Sequence, residues 1–189
     1  MRHASKIALV FILAVSLTTM GCSTSWINTA LQDLPVLVQI ATSILQIVSA
    51  AQGNGTLDPA TATSITTISN QVKSDLTLIQ SLVTQYQASP SPTLLGQIDS
   101  ALTAVQGNLN AILTAFHVSN SALQTTITTS IGLALTVVVA IQSLVPLPPS
   151  PAPAARVARV PIKPMGAAQI KSTYNGILAQ HGFSAYAIQ

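Results

Sequence analysis

Apolar residues recur every three or four positions along the middle of this chain, and this spacing is the strongest constraint on its fold. The clearest segment alternates steps of three and four over about three heptads, as the seam of a packed helix does. Its members are Leu95, Ile98, Leu102, Val105, Leu109, Ile112 and Phe116. Strands would instead alternate every second residue and would be shorter. The spacing therefore predicts a long amphipathic helix.

Three further segments show the same spacing, and turn signals separate all four. The first segment runs from about Leu34 to Ala51 and ends at a glycine-containing loop. The second begins at the cap candidate Asp58 with Pro59 behind it and stops at Ser89-Pro90. The last follows the cap candidates Ser119, Asn120 and Ser121, and Pro146 closes it.

Short connections between long helices make neighbouring helices antiparallel. We therefore predict an all-α fold, an up-down antiparallel four-helix bundle over residues 34–145. Stretches rich in Thr, Val and Ile, such as TSITTIS and TVVVAIQ, would favour strands locally. The sustained three-four spacing outweighs this all-β alternative.

The segments flanking the bundle differ from it in composition. Pro35 fits best in a first helical turn, so residues 22–33 are predicted to be a tether, with a separate turn or a kinked extension between 26 and 33. Residues 146–165 are proline-rich and predict an extended linker. Residues 166–189 form a tail that is either frayed or a short helix. Such a helix would carry Ile170, Tyr174, Ile177 and Leu178 on one side.

The N-terminus combines a positive start with an apolar stretch and the only cysteine of the chain. Arg2 and Lys6 precede the run IALVFILAVSL, which is shorter than the about 20 residues that span a bilayer. Small residues follow, and then Thr19-Met20-Gly21-Cys22. This pattern resembles a bacterial lipoprotein precursor, although Thr19 stands where leucine is usual. The resemblance covers only residues 1–23.

The resemblance implies that residues 1–21 are a cleaved signal peptide and that Cys22 becomes a lipidated N-terminus. Acyl chains such as palmitate on Cys22 would hold the protein in a membrane of the bacterial cell envelope, facing the periplasm. Ser23, rather than aspartate, favours the outer membrane where a cell has two. The alternatives are an ordinary secretory signal with an incidental cysteine, and an uncleaved signal anchor.

Charged residues make up only 6% of the chain, against the usual quarter, so the polar surface must consist of Ser, Thr, Gln and Asn. Four bases and no acid follow residue 150, and they could contact anionic lipid headgroups or an acidic polymer. These bases are Arg156, Arg159, Lys163 and Lys171. The alternative is a solvated linker that its charge keeps soluble. Four basic residues are few for a nucleic-acid-binding surface, which argues against a nucleic-acid partner.

Nothing in the sequence indicates catalysis. Di-metal centres in bundles need inward glutamates, and the chain has none. His117 and His181 are expected at a helix end and in the tail rather than as metal ligands. No nucleophile elbow, phosphate-binding loop or dinucleotide fingerprint occurs. We expect no enzyme activity, no cofactor and no metal site.

Two functions are consistent with these features. The first is a lipid-anchored structural or interaction protein, whose partner is an unknown envelope protein or a second copy. The second is a membrane-inserting helical protein, pore-forming or holin-like, that uses residues 34–51 and 127–145. The absence of any charge between Asp99 and Arg156 favours insertion, whereas the longest clean apolar run falls short of a bilayer span.

Overall fold

The computed structural model describes residues 24–116, 118–146 and 162–189. These residues form five α-helices and a short 3-10 helix and contain no strand, so the all-α prediction is confirmed for them. The helices are α1 (Thr24–Gly53), α2 (Pro59–Ala88), α3 (Pro92–Ala115), α4 (Ser121–Leu144) and α5 (Ala167–Gln180), and the 3-10 helix is Ser184–Tyr186. The predicted signal peptide and most of the proline-rich linker lie outside the described residues.

N-cap side chains accept hydrogen bonds from the first turn of three of the helices. The Asp58 carboxylate accepts from the Thr61 N–H at 2.9 Å, and Pro59 occupies the first turn of α2. The Ser91 hydroxyl caps α3, and the Asn120 amide oxygen caps α4 by accepting from the Leu123 N–H at 2.9 Å. Each cap satisfies a backbone donor that the helix itself leaves without a partner.

One continuous apolar cluster holds the helices together. All seven predicted seam positions of the third segment are buried in it. Ile68 on α2 and Leu135 on α4 also follow the three-four spacing but are only half-buried, because they pack at the edge of the cluster. Each of α1 to α4 packs against its neighbour in sequence, and α4 also packs against α1. The α5 helix lies on α1 and α4.

The first helix differs from the prediction, since it begins at Thr24 rather than near Leu34 and contains Pro35 in its interior. Residues 24–33 are therefore helical, which agrees with the extension considered for residues 26–33 and not with a separate turn, so the helical domain begins before residue 34. Proline within a helix costs about 3 kcal/mol, because it removes a backbone hydrogen bond and crowds the preceding turn. Burial of Trp26, Ile27 and Ala30 in the core offsets this cost.

The tail is a docked helix rather than a frayed end. The α5 residues Ile170, Tyr174, Ile177 and Leu178 are all buried, on the side that the sequence spacing indicates. The tail then turns through the 3-10 helix and reaches α1.

Replacing Pro35 by alanine should stabilise the protein, because the proline side chain is exposed and alanine restores the missing N–H donor. We expect the free energy of unfolding to rise by about 2 kcal/mol, after allowance for the more flexible unfolded chain. The matched control is Pro92→Ala, an exposed proline in the first turn of α3, where no hydrogen bond is lost. Denaturant unfolding followed by circular dichroism measures both variants. Equal effects of the two substitutions would contradict an unbroken α1.

Candidate functional site

The contact of α5 with α1 and α4 is the most specific polar site in the described part of the chain. Tyr174 is fully buried at its centre, with 0% of its surface exposed. Its hydroxyl donates to the Ser43 hydroxyl of α1 at 2.8 Å. Ser43 in turn donates to the backbone carbonyl of Tyr186 at 2.7 Å. The chain of bonds thus joins α5, α1 and the C-terminal tail.

Burial raises the pKa of Tyr174 to about 12, while the hydroxyls of Ser43 and Ser130 act in the opposite direction. Ser130, on α4, lies close to the phenol without meeting hydrogen-bond geometry. The phenol therefore stays protonated at neutral pH and acts as a hydrogen-bond donor. Its part in the site is to position α5.

A second set of bonds fastens the C-terminal tail to α5. The Asn175 side-chain amide donates to the Ile188 carbonyl at 3.0 Å and accepts from the Ile188 N–H at 2.9 Å. The two bonds have the pattern of a hydrogen-bonded residue pair in an antiparallel sheet, and they fix the position of the tail along α5. The Lys171 ammonium also donates to the Gln189 carbonyl.

A groove of about 300 Å³ remains between α1 and the tail. The α1 residues that line it are mainly neutral and polar, and the tail supplies the other wall. The lining residues are Val38, Gln39, Thr42, Ser43, Gln46, Tyr186, Ala187, Ile188 and Gln189. The Gln39 amide oxygen is buried with no hydrogen-bond partner among the described residues. The tail therefore packs less closely on α1 than α5 does.

Helices α1 and α4, on which α5 lies, are also the most apolar helices described. Residues Ser25–Gly53 and Ser121–Leu144 are long and apolar enough to cross a membrane by length and composition. About half of each apolar window is buried inside the folded domain, 56% and 50% respectively. Buried core helices of soluble proteins meet the same criterion, so the finding admits both functions considered above.

Asp33 is a buried carboxyl group that the sequence pattern alone did not single out. Only 1% of the residue is exposed, and neither carboxyl oxygen has a hydrogen-bond partner in the described part of the chain. Burial raises the pKa of this carboxyl from 3.8 to about 6. The sequence does contain a signal that Asp33 is buried, because the steps from Trp26 through Ala30 and Asp33 to Leu37 continue the three-four spacing. Because this stretch was predicted to be a tether, the spacing was not extended to it.

Two other aspartates accept hydrogen bonds from side-chain amides. Asp99 on α3 accepts from Gln142 of α4 at 2.9 Å. Asp75 on α2 accepts from Asn108 of α3 at 3.0 Å and from Gln71 at 2.7 Å. The bonds from Gln142 and Asn108 tie adjacent helices together, whereas the bond from Gln71 lies within α2. Residues 24–116, 118–146 and 162–189 contain no group of three or more His, Cys, Asp or Glu side chains that could hold a metal ion.

The residues predicted for lipid attachment and charge contacts are placed only in part. Those outside the described residues are Thr19, Met20, Gly21, Cys22, Arg156 and Arg159, together with His117. Lys163 is exposed just before α5, whereas Lys171 lies within α5 and is half-buried. Because Lys171 is bonded to the tail, it is less available to an anionic surface than Lys163. His181 caps the C-terminal end of α5.

Comparison with protein-family models, with curated proteins and with solved structures finds no match for this chain.

The buried carboxyl group predicts a specific pH dependence of stability. Folded protein binds the Asp33 proton more tightly than unfolded protein, so this contribution is fully present below pH 3.8 and is lost as the pH rises through about 6. The loss amounts to about 3 kcal/mol at most. Asp33→Asn should abolish the decline between pH 4 and 7 and should exceed the wild type in stability at neutral pH.

The matched control for this prediction is Asp58→Asn, since asparagine caps a helix as well as aspartate does. Hydrogen bonds from Thr61 lower the pKa of Asp58, so its own contribution is lost only as the pH falls below the usual 3.8. Asp58→Asn should therefore keep the decline between pH 4 and 7. Urea unfolding at a series of pH values measures both variants, and a wild-type curve that is flat over this range would contradict the buried carboxyl.

Proposed function

We propose that this chain is a lipid-anchored protein of the bacterial cell envelope with a structural or protein-interaction role and no catalytic activity. Cys22 carries the acyl chains, and the helical domain faces the periplasm. The outer membrane is favoured where the cell has two membranes. The partner is an envelope protein or a second copy of the chain.

We further propose that α1 to α4 form an up-down antiparallel bundle, and contacts between helix ends support this topology. Trp26 near the start of α1 lies against Tyr86 near the end of α2, with ring centroids 5.5 Å apart. Gln142 near the end of α4 bonds to Asp99 near the start of α3. Both pairs join the beginning of one helix to the end of another, which is the arrangement of antiparallel neighbours.

The observation that carries the anchored role is the distance in sequence between Cys22 and α1. The helix begins at Thr24, two residues after the cysteine, and Trp26 and Ile27 are already buried in the core. An acylated Cys22 would therefore hold the domain directly at the bilayer without a flexible tether. The end of the bundle that carries Trp26, Tyr86 and Ser89 would face the lipid.

The polar groups of the domain support an interaction role better than catalysis. Asp58 caps a helix, Asp75 and Asp99 are bonded to amides of neighbouring residues, and Tyr174 positions α5. Each of these groups has a structural role that explains its position. The neutral outer surface of hydroxyl and amide side chains is suited to contact with another protein.

We also propose that Arg156, Arg159 and Lys163 contact anionic lipid headgroups. Lys171 contributes less, because its ammonium already donates to the tail carbonyl. Each base near a membrane surface adds about 1 kcal/mol at most. These contacts would assist the acyl anchor and could not replace it.

A membrane-inserting role, pore-forming or holin-like, is the second candidate. It is favoured by the length and apolar composition of α1 and α4, which contain the predicted segments 34–51 and 127–145. The packing of both helices in the shared core favours the anchored domain. Without residues 1–22, an anchored domain should stay helical in buffer and melt cooperatively, whereas an inserting pair of helices should require detergent.

The intact mass of the membrane-purified protein tests the anchored role. We expect a chain that starts at Cys22 and is heavier than its polypeptide by acyl groups, because stable anchoring requires at least two acyl chains or equivalent signals. Cys22→Ala is the matched variant, and it should be unprocessed or released from the membrane. A bare polypeptide mass in the membrane fraction would overturn the proposal and would favour an uncleaved signal or inserted helices.

A further inference from the structure

The α5 helix is an addition to a domain that is already closed without it. Helices α1 and α4 contact one another directly, and α5 lies across both of them. Its four buried side chains, Ile170, Tyr174, Ile177 and Leu178, join the common apolar cluster. Removing α5 would therefore expose an apolar surface that spans α1 and α4 and would leave the ring of four helices intact.

The surface beneath α5 has the chemistry of a lipid-facing surface. Helix α4 contains no charged side chain, and α1 contains only Asp33. The hydroxyls that lie at the Tyr174 phenol beneath α5 are those of Ser43 on α1 and Ser130 on α4. A serine hydroxyl within a helix can donate to a carbonyl of the preceding turn, so after α5 leaves, both donors can be satisfied in an apolar phase without water.

Few polar contacts secure α5 against this surface. The bond from Tyr174 to Ser43 joins α5 to α1, and the bond from Ser43 to the Tyr186 carbonyl joins α1 to the tail. The groove beside this bond leaves the tail only partly packed on α1. Among the described residues, the other hydrogen bond from this C-terminal segment to the four helices runs from the Ile162 N–H to the Ser143 hydroxyl of α4, at 3.2 Å.

We propose that α5 and the C-terminal tail form a releasable cover, and that the α1–α4 surface beneath them binds a lipid bilayer when the cover leaves. In the covered state the domain contacts the membrane only at the end near Cys22. In the uncovered state the apolar surface of α1 and α4 lies on the bilayer. The proposal goes beyond the anchored role and does not require Cys22 to be acylated.

The test compares lipid binding by full-length chains that all carry Cys22→Ala, so that no acyl chain contributes and residues 1–21 contribute equally. Tyr174→Ala removes the central side chain of the cover. We expect it to lower the concentration of phosphatidylcholine vesicles needed for half-maximal binding by about tenfold, because membrane affinity increases with the apolar area made available. Flotation of the vesicles measures the bound fraction.

Tyr86→Ala is the matched control, since Tyr86 is a buried tyrosine that packs on Trp26 at α2 and belongs to neither α5 nor the tail. We expect its vesicle binding to stay within about twofold of the parent, because it destabilises the core without releasing the cover. Ser43→Ala removes only the hydroxyl that joins the cover to α1. It should retain the helical fold and shift binding in the same direction as Tyr174→Ala, by a smaller factor.

Three results would overturn the proposal. If Tyr174→Ala and Tyr86→Ala increase binding equally, or if neither Tyr174→Ala nor Ser43→Ala increases it, α5 is not a cover over a lipid-binding surface. If binding increases only on vesicles that contain phosphatidylglycerol, the gain belongs to Lys171, whose ammonium loses its bond to the tail. The α1–α4 surface is uncharged beneath α5 and should bind phosphatidylcholine equally well.

Discussion

The burial of apolar side chains in the cluster shared by α1 to α4 is the constraint on which the rest of this structure depends. With so few charged side chains, the helices have little to hold them together except the burial of Leu, Ile and Val. Polar contacts between helices join amides to carboxylates, hydroxyls or other amides, as Gln142 shows with Asp99, Thr103 and Gln106. Burial in this cluster offsets the cost of a proline inside α1 and of the Asp33 carboxyl group, which has no hydrogen-bond partner among the described residues.

Several features of the molecule follow from this shared apolar cluster. Because α1 continues to Thr24 to bury Trp26, the domain begins almost at Cys22. Because α1 and α4 are the most apolar helices, one face of the pair needs a cover, which α5 provides. The hydroxyl and amide side chains then form a neutral outer surface. Under the proposed anchored role, such a domain would present one end to the bilayer and its sides to a partner.

The helical fold could be predicted from sequence because the three-four spacing is long and regular, and caps such as Asp58 and Asn120 mark where helices start. The start of α1 could not, because Pro35 is a local signal for a helix boundary that burial of Trp26 overrides. The docking of Tyr174 on Ser43 joins positions 131 residues apart. No local pattern reveals such a contact, since it depends on how the helices assemble.

The orientation of the domain on the membrane tests the central claim most directly. A fluorophore is attached at Ser89→Cys, near the Trp26 end, or at Gln52→Cys, near the far end of α1, in acylated full-length protein with acceptor-labelled lipid headgroups. The 30 residues of α1 separate its two ends by about 45 Å. The account predicts efficient energy transfer from position 89 and weak transfer from position 52. Equal transfer from both positions, or the reverse order, would contradict it.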